Sequence, residues 1–292
     1  MSEKKGTLLV SLAAAFWGLL PLFTRVIYAG GGDPFSVASM RALTGGLAFL
    51  VIGLFKGSFR GVSAKRWLIY AAMGIFASGG MYIFYPLSIA HVSTAVAAVL
   101  LYTAPAFVII FSRIFYKEPI TRGKAIALAM TFAGCALVVR IYDISSLVVS
   151  GLGILFGLLS GITYSLVTVI GRKALGEGDP LQASVLPAMF TLLMFQFIRP
   201  VWSIDLSSAG VDLCYLALGL LCGATPMLLY LSGMKGIEGG KASLIATLEP
   251  VVATLVGAFV LGDRLEWLQV VGMVIVLGGT YIPTFFEKTK KF

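Results

Sequence analysis

Charge is what this sequence has least of. Asp, Glu, Lys and Arg make up 12% of its 292 residues, about half the roughly 25% of an ordinary soluble domain. Acidic groups are the scarcer kind, with 13 Asp and Glu against 22 Lys and Arg. Metal-binding side chains are also few. There is one histidine, His91, and there are three cysteines, Cys135, Cys214 and Cys222, all inside apolar runs. Such a set gives no cluster at ligand spacing, so no metal and no cofactor are expected and the cysteines read as free thiols. A Walker motif is absent, so ATP hydrolysis within this chain is not expected. A membrane-embedded enzyme would need a nucleophile and base or a metal cluster, and a single histidine at a helix end argues against one.

What fills the chain instead is hydrocarbon. Hydrophobic residues reach 59% and the mean hydropathy is +0.97. A soluble domain holds roughly 45–50% apolar residues, so the solvent for this one is a lipid bilayer. Apolar runs separated by charged or turn-rich breaks lie at about 6–28, 34–55, 67–90, 94–116, 122–141, 151–175, 181–202, 210–235, 241–261 and 266–286. Each reaches the ~20 residues that a transmembrane helix requires. A transmembrane barrel would show short alternating segments. The expected fold is therefore an all-α integral membrane protein with ten transmembrane helices. The first run follows Lys4 and Lys5 like a signal peptide. It is longer than a signal core and lacks a clear cleavage site, so it is read as retained.

The basic residues are not scattered. Assigned to alternate sides of ten spans, 17 Lys and Arg fall with the two termini and the even-numbered connections and three, Arg140, Arg199 and Arg264, fall opposite. Positive charge concentrates on cytoplasmic loops, which predicts both termini inside a bacterial-type cytoplasmic (inner) membrane. The formal +9 is thereby explained by topology, and nucleic-acid binding is not expected.

Shifting the sequence by 145 aligns Tyr70 with Tyr215, Gly74 with Gly219, Tyr85 with Tyr230, Pro105 with Pro250, Glu118 with Asp263 and Gly134 with Gly279. At a shift of 146, GGGDP at 30–34 meets GEGDP at 176–180. The chain thus reads as two five-helix repeats, 1–146 and 147–292, and an odd number of helices inverts the second relative to the first. Inverted repeats are a mark of secondary transporters, whose substrate site lies near the midplane at the repeat interface. In addition, AAFWG at 14–18, MRAL at 40–43, APAFVIIF followed by YKEPIT at 104–121, and EPVVATLV followed by LGDRL at 249–265 resemble the drug/metabolite transporter superfamily, EamA type. The first copy reads Tyr116-Lys117-Glu118 and the second carries Asp263, where that family usually has Leu-Gly-Glu. The overall look is similar to YddG-like amino-acid exporters. The resemblance implies export of amino acids or similar small metabolites by alternating access.

Several residues are candidates for that site. Glu249 lies eight residues into the ninth run, and facing lipid there is costly. It reads either as a proton or substrate-amine site or as an acid serving backbone freed by Pro250. Ala104 stands opposite it in the repeat. Pro105 and Pro250 each remove a helix hydrogen bond, and such breaks survive in a bilayer where a cavity or other partners satisfy them. They are expected to kink their helices, and Pro21, Pro187 and Pro226 carry the same expectation with less support. Trp17, Tyr82, Tyr85, Tyr102, Tyr164, Met227 and Tyr230 are candidate cavity walls, with core packing as the alternative. Arg41 is a candidate carboxylate ligand or a partner of helix-end carbonyls, and Arg25 a snorkelling side chain. Glu118 and Asp263 read as charges offsetting helix dipoles. Gly153, Gly157 and Gly161 form a packing face. The expected partners are a small-molecule substrate and lipid, with a monomer as the expected state. Alternatives are proton-coupled efflux of drugs or other cations through Glu249, and a passive channel.

Overall fold

In the computed structural model residues 1–176, 178–206 and 208–289 are described, with side chains to Ile282. No strand occurs among them. The helices are α1 (Glu3–Trp17), α2 (Leu20–Ala29), α3 (Pro34–Lys56), α4 (Ala64–Ala72), α5 (Gly80–Ile89), α6 (Thr94–Leu101), α7 (Ala104–Tyr116) and α8 (Arg122–Val138), then α9 (Gly151–Leu175), α10 (Pro180–Ile198), α11 (Ala209–Gly219), α12 (Thr225–Gly233), α13 (Gly239–Ala246), α14 (Glu249–Phe259) and α15 (Trp267–Thr289). π-helical segments Met73–Gly79 and Leu220–Ala224 join α4 to α5 and α11 to α12.

Among the described residues, eight helical stretches are long and apolar enough to cross a membrane: Glu3–Ala29, Pro34–Lys56, Ala64–Ile89, Thr94–Tyr116, Gly151–Leu175, Pro180–Ile198, Ala209–Gly233 and Gly239–Phe259. The 17-residue α8 packs along α15. The outer surface is apolar: Phe55 is 86% exposed and Phe197 90%. Surface of that kind faces hydrocarbon rather than water.

Local chemistry sets the helix ends. Asp33 caps α3, accepting from the amides of Phe35 and Ser36 at 2.8 and 3.0 Å, with Pro34 in the first turn. Asp179 and Pro180 open α10 in the same manner. An N-cap carboxylate satisfies donors the helix cannot, and Pro costs nothing where the amide has no partner. The repeated Asp-Pro is thus a helix-start device. Thr121, rather than Glu118, caps α8.

Three spans are broken rather than merely kinked. The breaks fall at Gly18–Leu19, Tyr102–Thr103 and Thr247–Leu248. In each case the proline, Pro21, Pro105 or Pro250, is the second residue of the following helix. Each proline starts a new helix, because its ring and missing amide forbid continuing the old one. Pro226 is the second residue of α12 but follows the π segment without a break, and Pro187 lies inside the continuous α10.

The helices find their partners across the sequence. The most extensive pairings are α8 with α15, α5 with α9, α1 with α12 and α3 with α10. Glycines permit the close ones. A Cβ on Gly134 would lie 2.8 Å from the Gly272 carbonyl oxygen, and one on Gly272 2.7 Å from that of Gly134. The face formed by Gly153, Gly157 and Gly161 packs inside the bundle, against Val92, Leu100 and Thr103. The three cysteines are free thiols.

Candidate functional site

A cavity of about 130 Å³ opens among α1, α2, α3, α5, α9 and α12. It reaches Tyr28, Pro34 and Ile89 at one end of the bundle and runs inward to Trp17, Tyr164 and Glu249. Its other walls include Leu20, Val37, Ala38, Arg41, Ser78, Met81, Tyr82, Tyr85, Pro86 and Met227. An apolar cavity of about 150 Å³ admits benzene, so this space suits a small metabolite.

Broken and widened helices create it. The α1–α2 break releases the chain beside Trp17. The π segment before α5 contributes Ser78, and Met81 and Tyr82 follow it. A π turn changes the angular register of the side chains after it, and such turns frequently occur at functional sites. Trp17 packs edge-on to Tyr164 with ring centres 6.2 Å apart, and against Tyr230 at 5.4 Å.

The two charges on the cavity are held differently. Arg41 donates to the carbonyl oxygen of Cys222, in the second π segment, and its guanidinium lies 5.1 Å from the centre of the Tyr82 ring. Its Nε is buried without a protein partner. Glu249 starts α14 and forms no ion pair with Arg41 among the described residues. A basic and an acidic side chain therefore border one cavity without touching each other.

Behind Glu249 lies a second chamber of about 20 Å³, lined by Tyr102, Ala104, Pro105, Val108, Tyr164, Thr168, Tyr230, Ser243, Ala246, Thr247 and Glu249. It sits where the α6–α7 and α13–α14 breaks meet α9 and α12. Glu249 and Tyr164 border both chambers.

Of the side chains expected to line one site, Trp17, Tyr82, Tyr85, Tyr164, Met227, Glu249 and Arg41 meet on the large cavity. Tyr102 and Tyr230 do not. Tyr102 occupies the α6–α7 break on the far side of Glu249, and the hydroxyl of buried Tyr230 shares a 2.7 Å hydrogen bond with Thr168. Pro105 lines the small chamber, and Pro250 is buried outside both. Tyr28, Ser78, Met81, Ser243 and Thr247 were not anticipated. The signal for the last two was a pair of hydroxyls in the apolar run just before Glu249.

Ion pairs tie the chain together at both ends of the bundle. At the end rich in Lys and Arg, Glu118 contacts Arg172 and lies 3.6 Å from Lys124, which pairs with Glu238 at 2.6 Å. Lys241 pairs there with Glu3. At the other end Arg25 grips Asp263 with two contacts of 2.8 Å, Asp33 meets Arg199 at 3.0 Å, and Arg140 meets Glu266 at 2.5 Å. Arg25 is thus a paired residue rather than a free snorkelling one. Glu118 and Asp263 pair with side-chain cations, and neither occupies a cap. His91 stacks edge-on to Phe156 at 5.8 Å.

An all-helical bundle with membrane-length spans, interrupted helices and a charged cavity at their centre is the architecture of a multi-pass membrane transporter. The sequence profile of the EamA-like transporter family matches residues 4–140 and again 151–285, and the chain belongs to that family. It is similar to an uncharacterized transporter of Archaeoglobus fulgidus, 29% identical with 95% of each chain covered. It is also similar to the uncharacterized transporter YyaM of Bacillus subtilis, 28% identical with 88% of each covered. A solved crystal structure superposes with a TM-score of 0.85 over 99% of both chains at 18% identity, a likeness of fold.

Proposed function

We propose that the chain is a monomeric ten-span secondary carrier that exports amino acids and similar small zwitterions by alternating access. The observation carrying this reading is the large cavity, where Arg41 and Glu249 stand unpaired with each other between aromatic walls. A guanidinium is suited to a carboxylate, and a carboxylate to an ammonium. Trp17, Tyr82, Tyr85 and Tyr164 then take the substrate side chain, with aromatic and neutral amino acids as the best fit.

Ten spans follow when α8 and α15 are counted with the eight longer stretches. Inverted repeats at 1–146 and 147–292 are supported by matched interruptions. The breaks at 102–103 and 247–248 are 145 residues apart, and the π segments overlap at that same shift. The pairing of α5 with α9 corresponds to that of α12 with α1 when the halves are exchanged. Two consecutive matches to one family profile support the same reading. The charge asymmetry of the loops supports a cytoplasmic membrane location with both termini inside.

The test is uptake into proteoliposomes of aromatic, aliphatic and charged amino acids and a cationic dye, with and without a pH gradient. Saturable counterflow of a labelled neutral amino acid is expected, and failure of every amino acid to move refutes the reading. Saturation and counterflow also exclude a channel. The second reading, proton-coupled efflux of cations, is favoured by Glu249 being the carboxylate on both chambers. Dye efflux by Glu249→Gln with wild-type pH dependence removes it.

A further inference from the structure

We propose that the small chamber behind Glu249 binds one dehydrated monovalent cation of the Na⁺ class, in competition with the substrate's ammonium. The proposal extends the zwitterion reading by naming what the carrier exchanges for its substrate. The chamber volume, about 20 Å³, sets the size of the occupant. A single water needs roughly 10–15 Å³ of such space, so one water-sized particle fits.

The lining sets its charge. Lys, Arg and His are missing from the wall, whereas Glu249 and hydroxyls from four elements converge on it. The proton of Ser243 is given to the Gly240 carbonyl at 2.9 Å and that of Thr247 to the Leu244 carbonyl at 2.6 Å. Thr168 and Tyr230 use one of their two protons on each other. Hydroxyls with committed protons offer lone pairs to any further ligand. Backbone oxygen adds to this supply. Pro250 cannot donate to the carbonyl of Ala246, one turn earlier, and Ala246 lines the chamber. The carboxyl end of α13, where the helix dipole is negative, also lies there. Carbonyl, hydroxyl and carboxylate oxygens make a hard donor set, which suits a hard cation.

Glu249 borders both chambers, so its single negative charge cannot balance an ammonium on one side and a metal cation on the other. Occupancy of the two sides is antagonistic, which is the requirement for exchange transport.

The experiment uses the purified full-length protein in detergent, with thermal unfolding followed in NaCl, KCl or choline chloride at fixed ionic strength and pH and no amino acid present. A ligand bound by the folded state raises the melting temperature in proportion to ln(1 + [L]/Kd). A rise of about 3 °C or more in NaCl over choline chloride is expected. Thr247→Val and Glu249→Gln should lose the rise, each measured against the same variant's own melting temperature in choline. Added sodium at ten times its dissociation constant should weaken amino-acid binding about tenfold, by simple competition. Equal melting in NaCl and choline, stabilisation by acid alone, or an undiminished sodium effect in Thr247→Val overturns the proposal. Sodium stabilisation without amino-acid transport supports the cation site and removes the zwitterion reading. Transport without any sodium response does the reverse.

Discussion

Replacing Glu118 by Gln tests whether the buried ion network holds the two halves of the chain together. Glu118 is 6% exposed and Lys124 3%, so these charges are removed from water. Breaking such a pair by removing one partner costs about 3–5 kcal/mol, chiefly because the remaining charge is stranded. Here the stranding is partial: Lys124 keeps Glu238 at 2.6 Å, and Arg172 is 38% exposed and retains the Tyr116 ring 4.4 Å away. The expected loss is therefore near the lower limit, about 3 kcal/mol. The internal control is Arg25→Gln. That variant breaks a bidentate pair with two contacts of 2.8 Å, but its side chains are 51% and 49% exposed, and exposed pairs are worth about 0–1 kcal/mol. Thermal unfolding in detergent should show a fall of roughly 6 °C for Glu118→Gln and roughly 2 °C or less for Arg25→Gln, at about 2 °C per kcal/mol. In a double-mutant cycle Glu118→Gln and Arg172→Gln should be strongly non-additive. Equal losses for the buried and exposed pairs, or additive effects in the cycle, would refute the argument that burial makes this network strong.

Gly134→Val and Gly272→Val should each destabilise the protein by about 1–3 kcal/mol, the ordinary cost of overpacking. Each new Cβ meets a backbone oxygen below 3 Å, so unfolding temperature and protease resistance should both fall; wild-type stability would mean that α8 and α15 do not cross there. Arg41→Lys keeps the charge but loses the planar fork, and a loss of about 1.5–3 kcal/mol of charge-assisted hydrogen bonding corresponds to an affinity roughly 10- to 150-fold weaker for a carboxylate ligand. Counterflow should therefore show a raised KM with a smaller change in maximal rate; an unchanged KM would exclude Arg41 from substrate binding. Tyr164→Phe should retain the packing on Trp17, whereas Trp17→Ala should weaken aromatic substrates more than small ones, as judged by competition for uptake. Equal weakening of both would exclude Trp17 from the substrate side-chain wall.

Much of the fold was written locally and could be read residue by residue. Apolar runs of membrane length specify helices because a bilayer offers no partner for an open backbone. The Asp-Pro pairs mark helix starts, and the prolines at 105 and 250 mark interruptions, because both act through the chain's own neighbouring amides and carbonyls. The packing face of Gly153, Gly157 and Gly161 follows likewise from small residues at helical spacing in an apolar run. The π segments escaped notice, since Met73–Gly79 and Leu220–Ala224 carry no residue type that demands an extra residue in the turn.

The charged and hydroxyl groups show where local reasoning ends. Arg25 and Asp263, 238 positions apart, form one bidentate pair, and Lys124 pairs with Glu238 from 114 positions away. No periodicity links such residues. Their proximity is set by how α2 lies on α14, and α8 on α13. In the same way the sequence marked Glu249 as a costly carboxylate in an apolar helix, but not that it separates two chambers of different size. That division depends on helix interruptions from different parts of the chain meeting around Glu249, a property of packed helices that no single segment contains.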